Sequence, residues 1–496
     1  MACLTEINAT DIADRGECGM DSEELCYLSA GEALRLFREK ELSPVELMAA
    51  TVRRAEATEP SINALAARYF DEALIAAAAA ADAYASGVRI RALEGLPVAV
   101  KMDTAIAGQP MTAASMIFAE AIATHTDVLP QRIIDSGGIV HARTTTPEFY
   151  SASFTHSDLY GVTRNPWNLE IAPGGSSGGS AAALTSGSAM LATGSDNAGS
   201  IRIPASFCGV VGYKPPYGCI PIASPMNRDP YTVSGPLART VADCELFYAQ
   251  LAGPDLSDPF SLPSLQSVRL PRPRLGELRV AVSVDLGGFP VERQIAENTM
   301  AAAAALCEAG ARVDEVSIPW DWAEVLQAGR IHLEMTVGQL ARRLLAEYGD
   351  QLMPYVRTFA EGAGLREPQD LLRSMEAEAR AWDVLRAIFV DYDVLICPTQ
   401  GLSGFVAGDD YVDHGPLVDG CPVRYPFDTH MTLPFNIANT CPVLNVPSGF
   451  SANGVPTGVQ VVGRPYAESS VFVAGAAIES AQLGPQYGRV AGRPRF

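Results

Sequence analysis

Strands and helices alternate along almost the whole of this 496-residue chain, and no other feature constrains its fold as strongly. "GLPVAVKMD" holds a short β-rich run, Leu96 to Val100, that ends in a lysine. "DVLPQRIIDSGGIVHAR" reads as a helix and then a strand, Ile139 to Ala142, with Gly137 and Gly138 at the junction. After the Pro-rich "LPSLQSVRLPRPRLG", a strand at Leu278–Val284 precedes a helix from about Val291 to Ala309 and a strand at Arg312–Ile318. "DVLICPT", "PVLNVP" and "GVQVVGRP" supply late strands, and "SSVFVAGAAIESA" a last helix. Such alternation predicts an α/β fold whose sheet is covered by helices on both faces. The strands beyond the Pro-rich stretch are too few to close a domain of their own. A single large domain is therefore expected, with that stretch as a surface connector.

Residues 1–27 show no periodicity and are read as an irregular N-terminal arm, leaving 28–496 as the domain. Residues 28–88 read as helices that wrap a core built later in the chain. In "LSPVELMAATVRRAEA", Ser43 is placed as N-cap, Pro44 at the first helical position and Glu46 as the closing residue of a capping box. Residues 320–385 are predicted to be mostly helical and to form a pocket wall. Residues 401–430, rich in Gly, Asp and Pro, read as a loop, either a lid or wall of a pocket or a plain solvated connection.

The net charge of −21 disfavours nucleic acid and anionic membranes, both of which need clustered Lys and Arg. The ten cysteines are scattered without a C-x-x-C pair, which reads as buried free thiols in a reducing compartment. The six histidines have no metal-ligand spacing, so no metal site is expected. The acidic N-terminus lacks an apolar signal segment, and the alanine run Ala76–Ala81 is too short to cross a bilayer. These features together predict a cytoplasmic location.

The stretch "APGGSSGGSAAAL", Ala172–Leu184, carries the chemical question. It is not a flexible linker, because it runs directly into a helix and a buried strand. It lacks the following Lys-Ser/Thr of a phosphate loop. Gly174, Ser176 and Gly178 satisfy G-x-S-x-G, with His332, His414 and His430 downstream, so an α/β-hydrolase elbow with Ser176 as nucleophile is one reading. That reading requires a strand immediately before the serine, whereas "NPWNLEIAP" reads as turn and loop. Two further segments change the picture. Ser200 sits in a tight turn in "TGSDNAGSIRIPASFCGVVGYKP", and Lys101 closes the buried strand "PVAVK", where it cannot easily reach water.

"GGSSGGSAAA…GSDNAGSIRIPASFCGVVGYKP", "GLPVAVKMD", "NPWNLEIAPGGSSGGS" and "GVQVVGRP" resemble the amidase signature family of serine hydrolases. The likeness runs from about Leu28 to the last helix. It implies a central mixed β-sheet flanked by helices, no cofactor, and a Ser–Ser–Lys triad. In that triad Ser200 is the nucleophile, Ser176 a bridging serine on a cis peptide bond, and Lys101 the base. Asn197, Ala198, Gly199 and Ser200 match the turn whose N–H groups form the oxyanion hole. A lysine can act as base only when uncharged, and burial at a strand end favours the neutral amine.

Two positions depart from the family pattern, in which paired glycines precede the nucleophile: here Asn197 and Ala198 precede Gly199. The lysine segment also reads "KMDT" where a Lys-Asp pair is usual. The resemblance implies a small-molecule amide as substrate, with esters and carbamates as secondary ones. Phe149, Tyr150 and Ser151 in "TTTPEFYSASF" are the candidate substrate-binding residues, and a homodimer is the expected assembly. The rival within the family is the glutaminase subunit of tRNA-dependent amidotransferases. That branch usually carries "IRQP", whereas Ile203 makes this segment "IRIP". A non-catalytic binding protein is the third reading, disfavoured because all three triad positions are filled.

Overall fold

The computed structural model describes residues 20–263, 272–483 and 494. Eleven strands form one sheet: β1 (Leu65–Arg68), β2 (Pro97–Lys101), β3 (Ile139–Thr144), β4 (Leu191–Asp196), β5 (Val211–Lys214), β6 (Val233–Ala238), β7 (Arg279–Val282), β8 (Arg312–Glu315), β9 (Val394–Pro398), β10 (Val443–Phe450) and β11 (Pro456–Gly463). Their spatial order is β1-β3-β2-β4-β6-β5-β10-β11-β9-β7-β8. The sheet is mixed. The pairs β3–β2, β2–β4, β9–β7 and β7–β8 are parallel, and the middle of the sheet is antiparallel. The two edge strands, "LAAR" and "RVDE", are short and carry charge, which discourages pairing with another chain.

Period-two alternation divides the strand residues between two cores. Val98, Val100, Val280, Val282, Val394, Ile396, Leu444 and Val446 face one side, where helices Ala30–Glu39, Val241–Leu251, Arg293–Glu308 and Glu468–Leu483 pack. Ala99, Ala142, Ala192 and Leu237 face the other, against helix Gly178–Ser186 and the start of helix Arg202–Cys208. Lys101 has the parity of Ala99, so the pleat aims it at the side that carries the Gly/Ser stretch.

Helix Pro44–Ile62 starts as the sequence predicts, with Ser43 and Glu46 forming a capping box around Pro44. The segment 320–385, expected to be mostly helical, is four helices, Trp322–Met335, Val337–Tyr348, Pro354–Gly364 and Pro368–Asp391. Several expectations need correction. The arm assigned to residues 1–27 ends in a helix, Ser22–Cys26, because Asp21 and Glu24 cap it and Leu25 and Cys26 reach the core; residues 1–19 lie outside the described residues. The region 28–88 contains strand β1, which pairs with β3 and is not helical. Loop 401–430 includes a small hairpin, Leu417–Val418 with Cys421–Pro422. Of the described cysteines, all are free, but Cys307 and Cys421 are exposed, on a helix's outer face and in that loop. Most of the Pro-rich connector lies outside the described residues. No helix among the described residues is long and apolar enough to cross a membrane.

Candidate active site

Lys101 ends β2 and is fully buried. Its Nζ lies 2.8 Å from Ser176 Oγ and 2.9 Å from Ser195 Oγ, with Asp103 Oδ2 at 3.5 Å. Burial pushes the Lys101 pKa down, and the carboxylates of Asp103 and Asp196 oppose that shift without reversing it. The backbone locks the strand end in place: Lys101 N–H donates to Thr193 Oγ1 at 3.1 Å, and Arg143 Nη2 donates to Lys101 C=O at 3.0 Å.

Ser176 follows a cis peptide bond from Gly175. Gly175 has no room for a side chain, since a Cβ there would lie 2.5 Å from the Phe154 carbonyl oxygen. Helix Gly178–Ser186 begins just after Ser176 and is buried along its length, so its positive end adds to the forces against a cation at this point. The stretch is held to the turn before Ser200 through Ser177. Its N–H donates to Ser200 C=O at 3.1 Å, and its Oγ donates to Ser195 C=O at 3.3 Å. Lys101 and Ser176 are thus in direct side-chain contact, and Ser200 joins them through the backbone. Ser176 Oγ and Ser200 Oγ do not share a hydrogen bond.

The turn Asp196–Ser200 leaves β4 and enters helix Arg202–Cys208. Asp196 and Arg202 form a fully buried bidentate pair at 2.8 and 2.9 Å. Burial pushes the Asp196 carboxyl up, but Arg202 and the Asn436 amide overcome it and hold the group below the usual carboxylate range. Asp196 Oδ1 also accepts the Gly199 N–H at 2.8 Å. Of the four amides expected to form an oxyanion hole, that of Gly199 is therefore already spent on a carboxylate. The N–H groups of Asn197, Ala198 and Ser200 have no protein acceptor among the described hydrogen bonds. Gly199 adopts φ +120°, and a Cβ there would sit 2.1 Å from Thr432 Oγ1.

The three candidate substrate-binding residues diverge. The Tyr150 ring centroid lies 5.6 Å from Lys101 Nζ, and its hydroxyl donates to Met102 C=O at 3.2 Å. Phe149 packs edge-on against Phe118, and Ser151 Oγ donates to Glu148 C=O. Only Tyr150 faces the lysine. Ser195 was missed by sequence reasoning. Two residues beyond Thr193 on the strand beside β2, it shares Thr193's face, a signal usable only once β2 and β4 are known to be neighbours. The histidines have other partners: His332 binds Asp229, His430 binds Ser153, and His414 lies beside Asp409. Residues 165–173 form no strand. The nucleophile-elbow reading of Ser176 therefore has neither its base nor its strand.

The family model described as "Amidase" matches residues 46–472. The chain is 33% identical over 472 residues to an acylamidase from Rhodococcus erythropolis, covering 93% of this chain and 97% of that protein. It is 34% identical over 457 residues to a glutamyl-tRNA(Gln) amidotransferase subunit from a Picosynechococcus species, covering 86% of this chain and 92% of that protein. Among solved structures it resembles a bacterial aryl acylamidase of the amidase signature family, with a TM-score of 0.84 at 27% identity, over 93% of this chain and 98% of that one.

Proposed function

The chain belongs to the amidase signature family and is an amidohydrolase; from that premise we propose that it cleaves carboxylic amides through an acyl-enzyme on Ser200. The contact between Lys101 Nζ and Ser176 Oγ, in a site where burial favours the neutral amine, is the observation that supports this reading. Ser200 attacks the carbonyl carbon while its proton passes through Ser176 to Lys101. A serine hydroxyl can donate to one partner and accept from another at once, which suits Ser176 to relay. The free amides of Asn197, Ala198 and Ser200 receive the oxyanion. The proton returns by the same path to the leaving amine, and water then releases the acid. Esters and carbamates pass through the same tetrahedral chemistry and are proposed as secondary substrates.

The similarity to amidotransferase subunits supports a second reading, a glutaminase working inside a larger complex. Against it stands Ile203, which is buried beside the turn among Phe154 and Phe207 and offers no polar group there. Mass spectrometry of protein quenched during turnover of 4-nitroacetanilide and phenyl acetate tests the first reading. An acetyl group on the peptide carrying Ser200 is the expected result, lost in Ser200→Ala. Acetylation of Ser176 instead, or undiminished turnover by Ser200→Ala, overturns it. Activity on glutamine only, with a co-purifying partner protein, selects the second reading.

A further inference from the structure

Besides the Ser177 contact, three anchors hold the turn before Ser200. Gly199 N–H is held by Asp196 at the end of β4. Ala198 C=O accepts from Thr432 Oγ1 at 2.6 Å. The third anchor is a side chain of the turn itself: Asn197 Nδ2 donates to Thr232 Oγ1 at 2.6 Å and to Asp229 Oδ2 at 3.1 Å. Asn197 thus ties the turn, through its own side chain, to the segment Asp229–Thr232.

The third anchor leads outward. Thr232 Oγ1 donates to Asp229 Oδ2 at 3.2 Å. Asp229 Oδ1 accepts from Tyr231 N–H at 3.0 Å and lies 2.8 Å from His332 Nε2, on helix Trp322–Met335. The His332 ring stacks on Tyr231, with centroids 3.7 Å apart and planes within 3°. Glu378 Oε1 lies 3.8 Å from His332 Nδ1 and accepts the Tyr231 hydroxyl at 2.8 Å. A continuous, largely buried path therefore joins helix Trp322–Met335 to the turn before Ser200.

The asparagine is only half satisfied. Its Oδ1 is buried with no hydrogen-bond partner, a cost that an alanine would not carry. What the amide does is fix the turn's backbone while leaving the N–H groups of Asn197, Ala198 and Ser200 free.

We propose that Asn197 is a positioning residue for the oxyanion turn, and that Asp229 and His332 couple its placement to helix Trp322–Met335. The inference rests on the reading of Ser200 as nucleophile. The test compares wild type, Asn197→Ala, His332→Ala and the double variant. It measures steady-state hydrolysis of 4-nitroacetanilide, the rate at which a fluorophosphonate labels Ser200, and thermal midpoints. Losing one oxyanion donor outright lowers kcat by about 10²–10³. A displaced turn should lower it by roughly 10- to 100-fold. KM should stay within about twofold and the labelling rate should fall in parallel, because only transition-state contacts weaken.

His332→Ala should lower kcat less. The double variant should fall no further than Asn197→Ala alone, since the path runs through Asn197. His332→Gln, whose amide can still donate to Asp229, should recover most of the loss and serves if His332→Ala does not fold. Unchanged kcat in Asn197→Ala, a loss confined to KM, or additive losses in the double variant would overturn the proposal. A wild-type protein that fails to label on Ser200 sinks the nucleophile assignment instead, so the two failures are distinguishable.

Discussion

Replacing Lys101 with methionine separates catalysis from stability more sharply than any other single change. Methionine fills the buried space of the lysine tail and removes the amine. Two hydrogen bonds are lost, to Ser176 Oγ at 2.8 Å and Ser195 Oγ at 2.9 Å. At about 0.5–1.5 kcal/mol each, that is a loss of roughly 1–3 kcal/mol. Against it, methionine needs no desolvation of a polar group in this fully buried position. The net change in stability should stay below about 2 kcal/mol. With unfolding entropy near ~2.1 cal/mol/K per residue over 496 residues, that corresponds to a shift in Tm of about 2 °C or less.

Activity should behave quite differently, because a positioned general base contributes about 10²–10⁴ in rate. The base works only as the neutral amine, and burial lowers the Lys101 pKa. Wild-type kcat/KM should therefore rise with pH through that depressed pKa and level off below the ordinary lysine value near ~10.4. Over the same window Lys101 is less protonated in the folded protein than in the unfolded chain, so its own contribution to stability also rises with pH. The alkaline rise in activity should vanish in Lys101→Met, and the stability profile should lose the share of Lys101 while keeping that of Lys214, which burial pushes down to about 8. The assay is hydrolysis of 4-nitroacetanilide from pH 6 to 10, paired with urea unfolding at each pH. A methionine variant that keeps more than a tenth of wild-type kcat/KM, or the same alkaline rise, would refute the assignment of Lys101 as base.

Asp196→Asn leaves the Arg202 cation buried without its counter-ion and should cost about 3–5 kcal/mol, read from urea unfolding, together with a loss of kcat. His430 is buried and its pKa is pushed down to about 3 from an ordinary 6.5, so stability should fall as pH drops below 6.5, by on the order of 4–5 kcal/mol at pH 3. His430→Gln should flatten that acid limb in unfolding measured between pH 7 and 4. Gly199→Ala places a methyl 2.1 Å from Thr432 Oγ1 at a backbone φ of +120° and should cut kcat for 4-nitroacetanilide severely, and a variant with wild-type kcat would show that the turn has room to shift.

Much of the fold was legible because it is local. The capping box at Ser43 and Glu46, the strand that Lys101 closes and the helices of 320–385 follow from spacing and residue type alone. The strands that escaped reading are "LAAR", "VGYK" and "VSGPLA". They are short and rich in alanine, glycine or proline, and they become strands because neighbours on both sides, or one edge, supply their hydrogen bonds. The substrate-binding trio was only partly legible for a related reason. Phe149 and Tyr150 both take left-handed backbone angles, so adjacent residues point to unrelated surroundings.

By itself the sequence determined which chemical groups were on hand: a lysine at the end of an apolar strand, a glycine-serine turn leading into a helix, and a second serine among small residues. Tertiary structure decided their pairing. Sheet order placed Ser195 beside the Lys101 amine, and the packing of the chain's distant segments tied Asn197 to Asp229 and Asp229 to His332. Each of those partnerships depends on which strands and loops lie side by side, and hydrogen bonds form between neighbours in space, whatever their separation along the chain.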